Sequence, residues 1–162
     1  MSKSLKRVIA ALEAAGVGAQ VLETGDETRT AEQAAAAAGC ALDQIVKSIL
    51  FRGEVTGGLH LFLTAGGNRV DPDAAAILAG EPMGRADGTQ VRQVTGFAIG
   101  GVAPIGHLSA LPAWADRRLM EFDVVWAAAG TPRHIFPVAP EVLLRLSGAR
   151  LGTFAARPSG LM

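Results

Sequence analysis

Apolar residues recur at Leu5, Val8, Ile9, Leu12 and Ala15, three and four positions apart, with charged residues between them. That spacing predicts an amphipathic helix that stops at Gly16. A short strand is expected at Gln20–Glu23. Thr30-Ala-Glu-Gln33 is a capping box and opens an alanine-rich helix ending at Gly39. Ile45–Phe51 predicts a strand with Val46, Ser48 and Leu50 on one face and Ile45, Lys47, Ile49 and Phe51 on the other. The Gly57-Gly58 turn makes Leu59–Thr64 its hairpin partner. Asp71-Pro72 is an N-cap followed by a first-turn proline, which starts a helix through Leu78. Asp87 caps another short helix ending near Gly96.

Further along, the apolar run Phe122–Ala128 reads as a buried central strand. A turn at Gly130-Thr131-Pro132 leads to a strand over Ile135–Val138. Pro140 begins a last helix with Val142, Leu143 and Leu146 inward. Leu151–Phe154 is a candidate edge strand, and Arg157–Met162 is expected to be a disordered tail. Helices mixed with both hairpins and crossovers imply an α/β (α+β) domain with a largely antiparallel or mixed sheet. No repeat or linker divides the chain, so one domain is expected over 1–156.

Composition narrows the function class. The chain has 162 residues, 49% hydrophobic and 19% charged, enough apolar content for a single core. Its 15 cationic side chains balance 15 anionic ones. Bulk charge therefore does not hold it on nucleic acid, although a few arginines can still touch an RNA end. The lysines are Lys3, Lys6 and Lys47, and every other cation is arginine. The single cysteine, Cys40, precludes an intramolecular disulfide and fits a reducing cytoplasm. Its expected role is that of a small buried hydrophobe. No apolar run reaches membrane-spanning length, and the basic N-terminus leads into an amphipathic helix rather than a signal-peptide core.

The segment Thr95-Gly-Phe-Ala-Ile-Gly-Gly-Val-Ala-Pro-Ile-Gly-His107 has four glycines in a short apolar span. Such bareness suits a loop whose backbone approaches a ligand closely. Most familiar chemistries are missing. His60, His107 and His134 have no cysteine or carboxylate at ligand spacing, and His60 is expected at a surface or edge. Cys40 follows a helix C-terminus, the wrong end to lower a thiol pKa. No Gly-x-Ser-x-Gly elbow, Walker A loop or dinucleotide fingerprint occurs.

Lys47 stands among apolar neighbours on its strand. It is either a stem covering the core with its head in water, or a cation at a cleft mouth binding a carbonyl, carboxylate or phosphate. Thr95 and Thr131 are ligand contacts or cap and turn residues. His134 faces either the ligand or solvent. His107 is expected to be structural or exposed, and Asp116 to cap a turn.

Three blocks resemble the YbaK/EbsC family: Leu42-Asp-Gln-Ile-Val-Lys47-Ser-Ile-Leu-Phe51, Thr95–Gly106, and Phe122-Asp-Val-Val-Trp-Ala-Ala-Ala-Gly-Thr131-Pro-Arg-His-Ile-Phe136. They occur in the family's order, and the resemblance spans about residues 5–154. The family comprises aminoacyl-tRNA deacylases related to the editing domain of bacterial prolyl-tRNA synthetases. The resemblance implies a compact domain with a mixed, strongly curved sheet flanked by helices. It implies that Lys47 lines the pocket and that Gly100-Gly-Val-Ala-Pro104 presents backbone to the aminoacyl end of the tRNA. The turn Gly130–His134 would form another wall.

On that basis Lys47, Gly100 and Gly101 are the expected catalytic residues. Ile45, Thr95, Phe97, Val102, Ala103, Pro104, Gly130, Thr131 and His134 are the expected substrate contacts, with Phe51, Ile99 and Ala129 as further walls. No cofactor or metal is implied. The resemblance implies that water attacks an ester held in place by the pocket, with the neighbouring ribose hydroxyl assisting. The implied function is a freestanding deacylase that clears a small amino acid such as Cys or Ala from tRNA-Pro. The implied partners are the aminoacyl-tRNA 3′ end and a tRNA synthetase. The alternative is an inactive module of the same fold that binds tRNA or a small metabolite.

Overall fold

The computed structural model describes residues 1–18 and 20–156, so the expected tail at Arg157–Met162 lies outside the described residues. Helix α1, Lys3–Ala14, starts where Ser2 Oγ accepts from the Leu5 N–H at 3.1 Å, and it buries Leu5, Val8 and Leu12. Strand β1 is confined to Leu22–Glu23. The Thr30–Gln33 capping box closes in both directions ahead of α2, Ala31–Ala38. A 3-10 turn at Leu42–Gln44 feeds β2, Ile45–Gly53, and β3, Leu59–Ala65, returns antiparallel to it. Then follow β4 (Arg69–Val70), α3 (Pro72–Ala79), β5 (Met83–Arg85), α4 (Gly88–Thr95) and β6 (Ala113–Asp116). The chain closes with β7 (Val125–Ala128), β8 (His134–Val138), α5 (Pro140–Ser147), β9 (Arg150–Gly152) and β10 (Ala155–Ala156).

The main sheet is mixed, in the order β1-β8-β7-β2-β3-β6-β9, with β5 also pairing β2. β10 and β4 form a separate antiparallel pair. β3 is buried along its whole length because helices cover both faces of the sheet. On one face Leu59, Leu61 and Leu63 join α1, Val91 of α4 and Leu143 of α5 in the main core. On the other, Phe62 packs with Ala75 of α3 and with Phe154. Phe62 stacks on Trp114 at 5.2 Å between ring centroids and meets Phe154 edge-on at 5.0 Å. Ala34 and Ala35 of α2 sit over Ile45 and Trp126.

Two sequence expectations need correction. The strand read at Phe122–Ala128 begins only at Val125, because a 3-10 turn over Arg117–Glu121 runs up to Phe122. Gln44 Nε2 then donates to the Val124 carbonyl at 3.0 Å, fixing the entry to β7. His60 is not at the surface. It is buried, and Nε2 donates to Glu81 Oε2 at 2.9 Å. Glu81 also accepts from the Val55 and Thr56 N–H groups and from Thr56 Oγ1. Those donors hold its carboxyl down at about 2 and lock the β2–β3 turn.

Candidate active site

β2 is fully paired with β3 on one side, but its other edge is shared between two short neighbours. β7 pairs only with Ile45 and Val46, and β5 only with Phe51, Arg52 and Gly53. Between them Lys47–Leu50 has no neighbouring strand on that edge among the described residues. A cleft of about 680 Å³ opens there. Every residue from Ile45 to Phe51 lines it, as a split in the sheet demands. Its other walls are the start of α2 at Thr28–Ala31, β5, the Ile99–Val102 loop, β7 and Thr131.

Lys47 lines the cleft, and its Nζ is held on the β3 side of β2, donating to the Asn68 carbonyl at 2.5 Å. It is half-buried, and burial pulls its pKa below the ordinary lysine value. Glu32, Asp116 and Asp43 favour the charged form, while Arg69 opposes it. Among the described residues no carboxylate forms an ion pair with Lys47. A cation held by a neutral carbonyl keeps its charge available to a ligand.

In the glycine loop, Gly100 and Val102 line the cleft. The Gly101 N–H donates to the Ala98 carbonyl at 3.0 Å and is not free for a ligand. Gly101 is bare for packing instead: a Cβ there would come 3.0 Å from Thr131 Cα. Gly100 has open space around it but adopts φ +96°, which favours glycine. The amides of Gly100 and Val102 donate to no acceptor among the described residues.

Arg7 holds this loop from behind. Its guanidinium donates to the carbonyls of Gly106 at 2.9 Å and Gly96 at 2.7 Å, and lies 4.7 Å from the Phe97 ring centroid.

The turn at Gly130–His134 supplies Thr131 to the cleft wall. Thr131 Oγ1 accepts from the Arg133 N–H at 3.1 Å and shares a 2.6 Å hydrogen bond with His134 Nδ1. With the ring proton on Nε2, the hydroxyl donates and His134 accepts. His134 itself does not line the cleft; it buttresses Thr131.

Thus Ile45, Lys47, Gly100, Val102 and Thr131 meet in one cleft, with Phe51 and Ile99 also on its walls. Other expected contacts lie elsewhere. Thr95 is fully buried, donating to the Val91 carbonyl at 2.7 Å and accepting from the Phe97 N–H at 3.1 Å. Phe97, Ala103 and Ala129 are core residues. Pro104 faces a separate hollow with His107, whose Nε2 donates to the Ala103 carbonyl at 2.7 Å. Gly130 packs against Ser4 and the Phe97 ring. Arg29, Arg85 and Trp126 also line the cleft, although none of them is expected there from the sequence. Both arginines are exposed at its rim. Among the described residues no three His, Cys, Asp or Glu side chains converge as a metal site, and no helix is long and apolar enough to cross a membrane.

A family model for an aminoacyl-tRNA editing domain matches residues 26–146. The chain belongs to the aminoacyl-tRNA editing domain family. The matched span contains every residue that lines the cleft of this editing domain. It leaves out α1, and with it the Arg7 clamp. Among relatives, YwhH of Bacillus subtilis (strain 168) is 30% identical over 131 residues, 81% of this chain and 83% of its own. A solved structure described as "a putative trans-editing enzyme for prolyl tRNA synthetase" is 46% identical, with TM-score 0.89 over 96% of this chain and 99% of its own. The protein APE2540 is 26% identical, with TM-score 0.84 over 93% of this chain and 99% of its own.

Proposed function

We propose that this editing domain hydrolyses the ester of a mischarged aminoacyl-tRNA in trans, removing a small amino acid such as Cys or Ala from tRNA-Pro. The reading rests above all on Lys47, the free Gly100 and Val102 amides and Thr131 meeting at an unpaired strand edge. The cleft volume of about 680 Å³ exceeds what a small amino acid needs and suits the aminoacyl group together with its terminal nucleoside. The solved structure at 46% identity is described as "a putative trans-editing enzyme", which supports action in trans. The reaction belongs to the cytoplasm, where tRNA is charged, with a prolyl-tRNA synthetase as the related partner.

Water attacks the ester carbonyl carbon, and the carbonyl oxygen becomes an oxyanion. The Gly100 and Val102 amides are the donors available to that charge, and the Lys47 ammonium adds a full positive charge to the site. Collapse of the intermediate breaks the bond to the ribose oxygen, which leaves with a proton, freeing the amino acid. The neighbouring ribose hydroxyl assists the proton transfer. Among the described residues no strong side-chain base lines the cleft, so rate comes from positioning and from preorganised charge. Arg29 and Arg85 at the rim suit phosphates of the acceptor end.

The test is a panel of charged tRNAs, with release of free amino acid as the signal. Hydrolysis of a small mischarged residue above the spontaneous rate supports the proposal. Binding of tRNA with no acceleration for any aminoacyl ester would instead identify a binding module.

A further inference from the structure

The hold on Lys47 begins outside the cleft. Asn68, whose carbonyl accepts from Lys47 Nζ, lies in the tight turn Gly66-Gly67-Asn68 after β3. Two carboxylates carry that turn. Asp43 Oδ1 accepts from the Gly67 N–H at 2.8 Å. Asp116 Oδ2 accepts from the Ala65 N–H at 3.1 Å and from Asn68 Nδ2 at 2.9 Å. Arg118 ties the carboxylates together: Nε donates to Asp43 Oδ2 at 2.9 Å, and its backbone N–H donates to Asp116 Oδ1 at 3.0 Å.

Asp116 is only 4% exposed, so its charge carries a desolvation cost that these donors offset. Pairing of β3 with β6 does not need the Asn68 side chain, since Leu61–Leu63 already align with Ala113–Ala115. What the side-chain contact does fix is the Asn68 carbonyl.

We infer that Asn68 and Asp116 are positioning residues for Lys47, holding its ammonium beside the turn that follows β3. The inference rests on the editing reading above for its consequence in catalysis, but its geometry is independent of any substrate. The charged groups facing Lys47 are Glu32 of α2, Asp43 of the turn before β2, Arg69 of β4 and Asp116 at the end of β6. Asp116 therefore acts in two ways, orienting the acceptor of the ammonium and favouring its charge.

The experiment uses full-length Asp116→Asn and Asn68→Ala with lysine-specific NMR. Three lysines give few signals, and Lys47→Arg assigns the one that matters. The expected result is a changed Lys47 signal in both variants and titration at lower pH in Asp116→Asn. Deacylation should lose roughly tenfold to a hundredfold in kcat, with KM little changed. The alkaline limb of the pH–rate profile should move with the NMR titration. Asn68→Ala keeps the test open if the Asp116 substitution unfolds the chain. A Lys47 signal and titration identical to wild type in a folded variant would overturn the inference. If wild type deacylates no aminoacyl-tRNA, the functional reading falls, while the Lys47 titration still decides the positioning claim.

Discussion

Arg7 Nη2 donates to the carbonyl of Gly96 at 2.7 Å, tying the first helix to the loop that walls the cleft. The same guanidinium reaches Gly106 through Nε at 2.9 Å, so one side chain spans both ends of the glycine segment. Arg7→Met should remove both charge-assisted bonds and cost about 2 kcal/mol. Chemical denaturation measures the loss. Hydrogen exchange should show residues 96–106 opening before the sheet does.

A role for the Lys47 ammonium in the reaction predicts an alkaline limit to activity. Burial lowers its pKa from the ordinary 10.5, so the cation is lost at lower pH than for a free lysine. Enzymatic rate, corrected for spontaneous ester hydrolysis, should fall as pH rises and should begin to fall below 10.5. Profiles of kcat/KM for wild type and Lys47→Met check this. The variant should lack the alkaline limb.

Glu81 predicts an acid dependence of stability. Its folded carboxyl sits at about 2, depressed from an ordinary 4.5 by the Thr56 and Val55 donors and by His60. A depressed carboxylate stabilises the fold above its unfolded pKa, and that stability disappears as pH falls through the folded value. The contribution is therefore complete above about 4.5 and drains away toward 2. Urea midpoints of Glu81→Gln should lie below wild type at neutral pH and approach it across that window.

Gly101 and Gly100 should respond differently to alanine. At Gly101 the new Cβ would meet the Thr131 backbone at 3.0–3.1 Å, pushing the loop off the turn. Overpacking of that kind costs about 1–3 kcal/mol, and kcat should drop as well. At Gly100 the side chain has room but the positive φ is strained, a cost of about 1–2 kcal/mol. Thermal melts and single-turnover rates on both variants separate the two causes.

Much of this fold is written locally. The caps at Thr30, Asp71 and Asp87 and the first-turn Pro140 mark four helix starts through side-chain and backbone chemistry within one turn. β4, β5, β6 and β10 escape sequence reading because two to four residues show no usable periodicity. His60 interrupts an apolar run, yet its burial is not evident from the sequence. A polar residue in a strand buried on both faces needs a buried partner, and Glu81 was hidden between Gly80 and Pro82.

In the cleft, Lys47 stands out as a cation in an apolar strand, and Gly100 and Thr131 belong to recognisable turns. Thr95 and Phe97 share the glycine segment but turn into the core, because neighbours in sequence do not share one face. Arg29, Arg85 and Trp126 reach the cleft from three distant segments, a convergence that only the split of the β2 edge creates.

The most direct test is single-turnover deacylation of Ala- or Cys-charged tRNA-Pro by wild type and Lys47→Ala, beside an enzyme-free blank. The account predicts release well above the blank for wild type and a loss of roughly a hundredfold or more for the variant. Wild-type release no faster than the blank for any aminoacyl-tRNA would contradict it.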